Sequence, residues 1–220
     1  MRSERYIPYM LVAPSVVFLL IFFAWPLAEA LLLAVQAPGG GITFEHFRRM
    51  ASDLNFSDAV RNTLLLAAIV VPLQLVLALS LASLISGINR GRDIFLYIWT
   101  IPLGISDLAA GIVWLSIFTE RGYLNSLLHV FGIVQYPQPF LSYETPVSLF
   151  IAVVIAELWR ATAIVMVVLV AGLQLIPRMY GEAADVFGAT PWKRFVKVTL
   201  PLLKPSIQTA LILRTIAAFE

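Results

Sequence analysis

An all-α, membrane-embedded helix bundle is the fold class that the sequence predicts, and three observations predict it. The 220 residues are 60% hydrophobic and only 13% charged, where ordinary soluble domains are roughly half apolar and about a quarter charged. Mean hydropathy is +0.89. The apolar residues come in continuous runs of helical length rather than in alternation, and an open sheet cannot satisfy its backbone in lipid. The net charge of +2 creates no field that would draw nucleic acid. The absence of cysteine excludes disulfides and thiolate chemistry.

A helix crosses about 30 Å of hydrocarbon with about 20 residues, at about 1.5 Å each. Residues 9–35, 62–85, 94–118 and 147–176 satisfy that requirement. The first run follows the basic stretch Met1–Arg5, as a signal peptide would. However, it is uncharged from Ile7 to Ala28, longer than the roughly 7–15 residues of a signal core. It is closed by Trp25-Pro26-Leu27 rather than by small residues, so it reads as a retained helix. A fifth run begins at Pro205 and is still apolar at Glu220, so five helices are in view and a sixth is expected beyond. Pro14, Pro26, Pro72 and Pro102 are tolerable kinks where neighbours take up the freed carbonyls. With no internal repeat and no soluble segment, residues 1–220 read as a single transmembrane domain with a long loop over 177–205.

Lysine and arginine set the orientation. Arg2, Arg5, Arg90, Arg92, Arg178, Lys193, Arg194, Lys197 and Lys204 flank one side of the predicted spans, nine in all. The other side has four, namely Arg48, Arg49, Arg61 and Arg121. The N-terminus and the 177–205 loop are therefore expected in the cytoplasm.

That loop reads Glu182-Ala183-Ala184-Asp185-Val186-Phe187-Gly188-Ala189, then Thr190 to Lys197, then Val198-Thr199-Leu200-Pro201. Its first part consists of good helix formers, with Glu182 as the expected helix start because Gly181 is a poor helix interior. Gly188 permits a sharp turn, and Pro191 opens a second helix. In that helix Trp192, Phe195, Val196 and Thr199 share one face while Lys193, Arg194 and Lys197 point elsewhere, the pattern of an interfacial amphipathic helix. Pro201 and Pro205 mark the return to the membrane.

Charge inside a span is costly unless it is paired or wet. Asp107, Glu157 and Arg160 are therefore candidates, and Trp159 offers a ring on which a sugar can stack. Glu157 and Arg160 are three residues apart and can pair on one helix face. Such a pair serves either helix packing or a translocation path. Asp107 follows Gly104-Ile105-Ser106, where a local helix break is expected to face a wet cavity. Arg214 lies too near the end of the sequence to be read. Trp25, Trp99 and Trp114 suit interface anchors. His46 and His129 stand alone, without a second ligand at metal spacing.

The loop spacing resembles the signature of ATP-binding-cassette importer permeases: E-A-A, three residues, G, nine residues, I, one residue, L-P. Val198 stands in place of the isoleucine. Leu11-Val12-Ala13-Pro14, Trp25-Pro26-Leu27, Asn62-Thr63-Leu64 and Ala171-Gly172-Leu173-Gln174-Leu175-Ile176-Pro177 resemble the carbohydrate branch, related to maltose, glycerol-phosphate and trehalose permeases. The resemblance implies the fold of an importer permease in the bacterial cytoplasmic membrane. It implies a second permease subunit, two cytoplasmic ATPase subunits and an extracytoplasmic solute-binding protein as partners. It also implies that Glu182, Ala183, Ala184, Gly188, Ala189, Leu200 and Pro201 form the element coupled to the ATPase. A sugar or sugar derivative is the implied solute, and Asp107, Glu157, Trp159 and Arg160 are the candidates for its translocation path. ATP and magnesium belong to the partner ATPase, and no cofactor is expected on this chain.

Three other classes compete. A permease for a non-sugar solute shares every feature of the loop. A secondary transporter or channel predicts internal repeats, which are not evident. A membrane enzyme predicts a catalytic motif, and there is no H-E-x-x-H, G-x-S-x-G or phosphate-binding loop. The orientation is directly testable because the chain lacks cysteine. A cysteine introduced at Thr190 or Asn89 is expected to resist an impermeant thiol reagent added outside intact cells, whereas one at Gly40 or Gln138 reacts. Labelling of Thr190→Cys from outside would overturn the orientation.

Overall fold

The computed structural model describes residues 6–37, 39–88 and 90–219. Arg2, Arg5, Asn89 and Glu220, used in the sequence reading, lie outside the described residues. Among the described residues there is no strand, and Gln36 and Ile42 form an isolated antiparallel bridge. The helices, in chain order, are α1 Ile7–Val35, α2 Glu45–Ala51, α3 Phe56–Gly87, α4 Arg92–Thr100, α5 Asp107–Phe118, α6 Tyr123–Val130, α7 Pro146–Gln174, α8 Arg178–Val186, α9 Pro191–Arg194 and α10 Leu200–Ala217. The chain divides into two compact units, Met1–Asn62 and Thr63–Glu220.

In the first unit, α1 has no buried residue. Apart from Ser15 and Glu29 it is apolar on every side, the composition of a helix in lipid. A π turn, Leu20–Ala24, interrupts it just before Pro26. Proline lacks an N–H and its ring crowds the preceding turn, and the extra residue of a π turn absorbs that clash. Beyond it, His46 Nε2 donates to the Gln36 carbonyl at 3.2 Å.

The second unit is built around α3, α7 and α10. Ala78, Ala82 and Ile85 of α3, Val165, Met166, Leu169 and Val170 of α7, and Leu203 and Ala210 of α10 form its core. Helices α7 and α10 pack side by side. Near the loop end they approach so closely that a Cβ on Gly172 would lie 2.2 Å from Ser206 Oγ and 2.6 Å from Ser206 Cβ. Lipid supplies no hydrophobic drive for helix pairing, so small residues that let backbones meet take its place.

Helices α1, α3 and α7 are each long and apolar enough to cross a membrane. The expected third crossing over 94–118 is not one straight helix. Helix α4 continues as a 3₁₀ turn, Ile101–Gly104, and the segment that follows, Asp107–Val130, leaves at 99° to it. Pro102 tightens the turn. Ile105 is extended, and Ser106 caps α5 by accepting a hydrogen bond from the Ala109 N–H at 3.3 Å.

Two further expectations are corrected. Pro205 does not start the last helix but lies inside α10, which begins at Leu200. Nor is Pro191–Thr199 a separate interfacial helix, because α9 runs without a break through a second π turn, Phe195–Thr199, into α10. This π turn also ends two residues before a proline, here Pro201. Both prolines therefore sit in continuous helix rather than ending it.

Replacing Gly172 with alanine is expected to force Ser206 and the α7–α10 contact apart. The cost is about 1–3 kcal/mol, the usual range for overpacking, read as a lower melting temperature and less folded subunit in membranes. Normal stability for Gly172→Ala would mean that the two helices are not held this closely.

Candidate functional site

A polar cluster lies inside the second unit, where α3, α5, α7 and α10 each contribute. Glu157 is about 17 Å along α7 from Pro146, at about 1.5 Å per residue, well inside the span. Both of its oxygens accept from Arg160 on the same helix, at 3.3 Å from Nε and 3.3 Å from Nη2. Arg214 Nη2 of α10 donates to the same Glu157 carboxylate. The Arg214 Nε donates to Gln74 Oε1 of α3 at 2.5 Å, and the Gln74 amide donates to the Glu157 backbone carbonyl at 2.9 Å. Finally, Arg160 Nη1 donates to Asp107 Oδ1 at the start of α5, at 2.5 Å. Two carboxylates and two guanidiniums therefore balance within one connected network.

Exposure rises along the network. The Arg214 side chain is 5% exposed, Glu157 21%, Arg160 31% and Asp107 79%. The expected Glu157–Arg160 pair is present, and the structure brings Asp107 to it. Trp159, the fourth candidate, meets Trp114 edge to face with ring centres 5.8 Å apart, and Trp114 stacks on Phe118 at 5.4 Å. Sequence reasoning missed Gln74 and left Arg214 unread. A charge or amide within an apolar helix was the available signal; the contacts span 57 and 140 residues and carry no local pattern.

The loop candidates form a helical hairpin. Helix α8 starts at Arg178 rather than at Glu182, because Pro177 ends the preceding segment and caps α8. Gly181 lies within the helix, where a Cβ would sit 4.0 Å from Arg194 Cδ, so packing does not demand glycine there. Gly188 is different. Its φ is +73°, its N–H donates to Asp185 O at 2.9 Å, and the Ala189 N–H donates to Ala184 O at 3.0 Å. This pair of bonds is the Schellman closure that requires a left-handed residue at this position. A Cβ on Gly188 would meet nothing within 4 Å, so conformation rather than space within the chain selects glycine.

Thr190 then caps α9, accepting from the Lys193 N–H at 3.4 Å. Arg194 donates to both Asp185 oxygens, at 2.9 and 2.8 Å, and ties α9 back to α8; the sequence reading did not anticipate this bond. Ala184 is buried against the hairpin, while Glu182 and Ala183 face outward. Among the described residues Glu182 has no ion-pair partner. Val186 and Phe187, at the end of α8, are 85% and 89% exposed. Leu200 and Pro201 open α10 directly behind the π turn.

Residues 74–220 match the family described as the binding-protein-dependent transport system inner membrane component. The chain belongs to this family. Among its relatives, the sulfoquinovosyl glycerol transport system permease protein SmoG of Agrobacterium fabrum is 33% identical, over 99% of this chain and 72% of that protein. The trehalose transport system permease protein SugA of Mycobacterium tuberculosis is 34% identical, over 99% of this chain and 71% of that one. In shape, the chain is similar to a subunit of a bacterial ABC transporter involved in the import of the acidic polysaccharide alginate. The TM-score is 0.82 at 25% identity, covering 96% of this chain and 73% of that one. The inner membrane component described here thus shares both fold and sequence with importer permeases, as the loop signature implied.

Breaking the buried end of the polar network is expected to be severe. Arg214→Met leaves Gln74 Oε1 without its donor and deprives Glu157 of its more buried partner. Loss of one member of a buried pair typically costs about 3–5 kcal/mol, so the yield of folded subunit in detergent extracts should fall sharply. Adding Glu157→Gln restores the balance of charge and should recover part of the yield. A normal yield for the single variant would show that the bond does not hold the helices together.

Proposed function

We propose that this chain is one of two membrane subunits of an ATP-driven importer for a sugar or sugar derivative. Its N-terminus and the α8–α9 hairpin lie in the cytoplasm. The hairpin docks on a separate ATPase, which binds ATP and magnesium, and a solute-binding protein delivers the solute on the opposite side. The build of the hairpin carries this reading. A glycine-closed turn and the Asp185–Arg194 bond make it stiff, while Val186 and Phe187 stand exposed at its tip outside the membrane spans. Clustered apolar side chains in water mark a surface that another protein covers. A stiff lever transmits motion across a non-covalent contact, where a mobile loop would absorb it.

The names of the relatives favour a carbohydrate-like solute, and the polar network gives it a route. Asp107, Arg160 and Trp159 line this half of the translocation path, and the second permease subunit lines the other. Glu182 reaches toward a basic group of the ATPase.

The test is retention of the ATPase and hydrolysis stimulated by the binding protein, in the full-length subunit reconstituted with its partners. Gly188→Asp is expected to insert normally and to lose stimulated hydrolysis. Gly188→Asn, which tolerates the left-handed backbone better than other side chains, is expected to retain more if turn geometry is the requirement. Glu182→Ala should be milder, because exposed ion pairs contribute little. Full hydrolysis and transport with Gly188→Asp would mean that the hairpin is not the coupling element.

A further inference from the structure

The four charges of the polar network are not equivalent. At the buried end, Arg214, Glu157 and Gln74 lock three long helices together, and opening any of these bonds would leave a desolvated polar group without a partner. At the other end, Asp107 belongs to a different kind of element. It is the first residue of α5, immediately after the bend at 105–106, and its side chain is 79% exposed. An ionised carboxylate so exposed is incompatible with lipid, where it would cost several kcal/mol, so it faces water or a polar neighbour. If Arg160 releases Asp107, Arg160 still keeps both Glu157 oxygens, and Asp107 gains water at a helix N-terminus that favours a negative charge. The Asp107–Arg160 bond is therefore the one contact in the network that can open at little cost.

We infer that Asp107 and Arg160 form an exchangeable contact at which a neutral, polyhydroxylated solute binds: one solute hydroxyl accepts from Arg160 Nη1 while another donates to Asp107. This inference rests on the importer reading and narrows its solute class. The network is electrically balanced before the solute arrives, with two carboxylates against two guanidiniums. A neutral polyol satisfies the opened donor and acceptor without disturbing that balance. An anionic sugar derivative would compete for Arg160 while lying beside the Asp107 carboxylate, and the repulsion acts against it. Trp159 meets the same helix α5 as Arg160, edge-on to Trp114, and offers a ring for the apolar face of the same solute. Glu157, fixed by Arg214 and Gln74, keeps the Arg160 guanidinium in place when Asp107 lets go.

The absence of cysteine makes a direct test possible. Asp107→Cys is introduced into the full-length subunit and assembled with its partner subunits in proteoliposomes. The assembly is treated with 2-sulfonatoethyl methanethiosulfonate, alone and with saturating binding protein plus trehalose, maltose, sn-glycerol 3-phosphate or sulfoquinovosyl glycerol. The introduced thiol is expected to react, and a member of the panel to slow the reaction by about tenfold, as occupancy of about 90% of sites would; because the thiol replaces the carboxylate, this arm reports where the solute sits and not which charge is preferred. In parallel, Asp107→Asn should assemble in normal yield and shift uptake toward the anionic members relative to the neutral ones. The shift is expected to be about tenfold, the scale of one charge-assisted hydrogen bond. An unreactive thiol, protection by no member of the panel, or an Asp107→Asn protein with unchanged selectivity would each overturn the inference. Wild-type proteoliposomes separate the two levels. ATP-dependent uptake by the wild type, without protection of the thiol in the Asp107→Cys assembly, refutes only the site. No uptake of any member of a wider solute panel refutes the importer reading beneath it.

Discussion

The bond between Arg214 and Glu157 is the constraint around which the second unit is arranged. Each charge would be prohibitive alone inside an apolar span, and together they require that α7 and α10 meet at one depth and in one rotation. Gln74 extends the requirement to α3. Its side chain is fully buried and makes two hydrogen bonds at that level, giving to the Glu157 carbonyl and receiving from Arg214. Apolar helices in lipid can slide or rotate against one another at little cost, since hydrocarbon solvates all their faces alike. A polar bond that spans three helices removes that freedom.

Small residues supply the other half of the specification. Gly172 against Ser206 near the loop end, together with Ala78, Ala82 and Ala210 in the core, allows the helices to approach until the Gly172 backbone packs directly on the Ser206 side chain. The polar network fixes the register, and the small residues fix the distance. Neither suffices alone: close packing without the ion pair leaves the rotation free, and the ion pair without close packing would admit water along the interface.

How much of this was legible in the sequence follows from the range of each signal. The spans α1, α3 and α7 could be read because length and composition are local quantities. The Glu157–Arg160 pair could be read because three residues on a helix fix the geometry. Gly188 was recognised as a turn because glycine at the end of a run of helix formers has few other uses. Prolines misled at the last helix. Pro201 and Pro205 have the appearance of breakers, yet the π turn over Phe195–Thr199 absorbs the first and the helix continues. At residues 101–106, proline, glycine and serine announced an interruption, but nothing local states a bend of 99°. The partners of Gln74 and Arg214 depend on which helices pack together and in what register, and a single sequence does not contain that information. Asp185 and Arg194 lie on either side of a turn whose closure had first to be known.

The continuity from α9 into α10 links the two halves of the site mechanically. Residues from Pro191 to Ala217 form one helical rod, with the hairpin turn at one end and Arg214 near the other. The Asp185–Arg194 bond ties that rod to α8, and the Gly172–Ser206 contact ties it to α7. A displacement imposed at the hairpin therefore cannot be confined to the loop, because the rod would carry it about 30 Å along its axis at about 1.5 Å per residue, to the buried arginine. There the helices are locked to one another, and the motion can be relieved only where the network is loosest. That place is the contact between Arg160 and Asp107, at the start of an element that the bend sets off from α4. In the importer reading, the same geometry that holds the solute contact in register also makes it the point where movement of the hairpin is released.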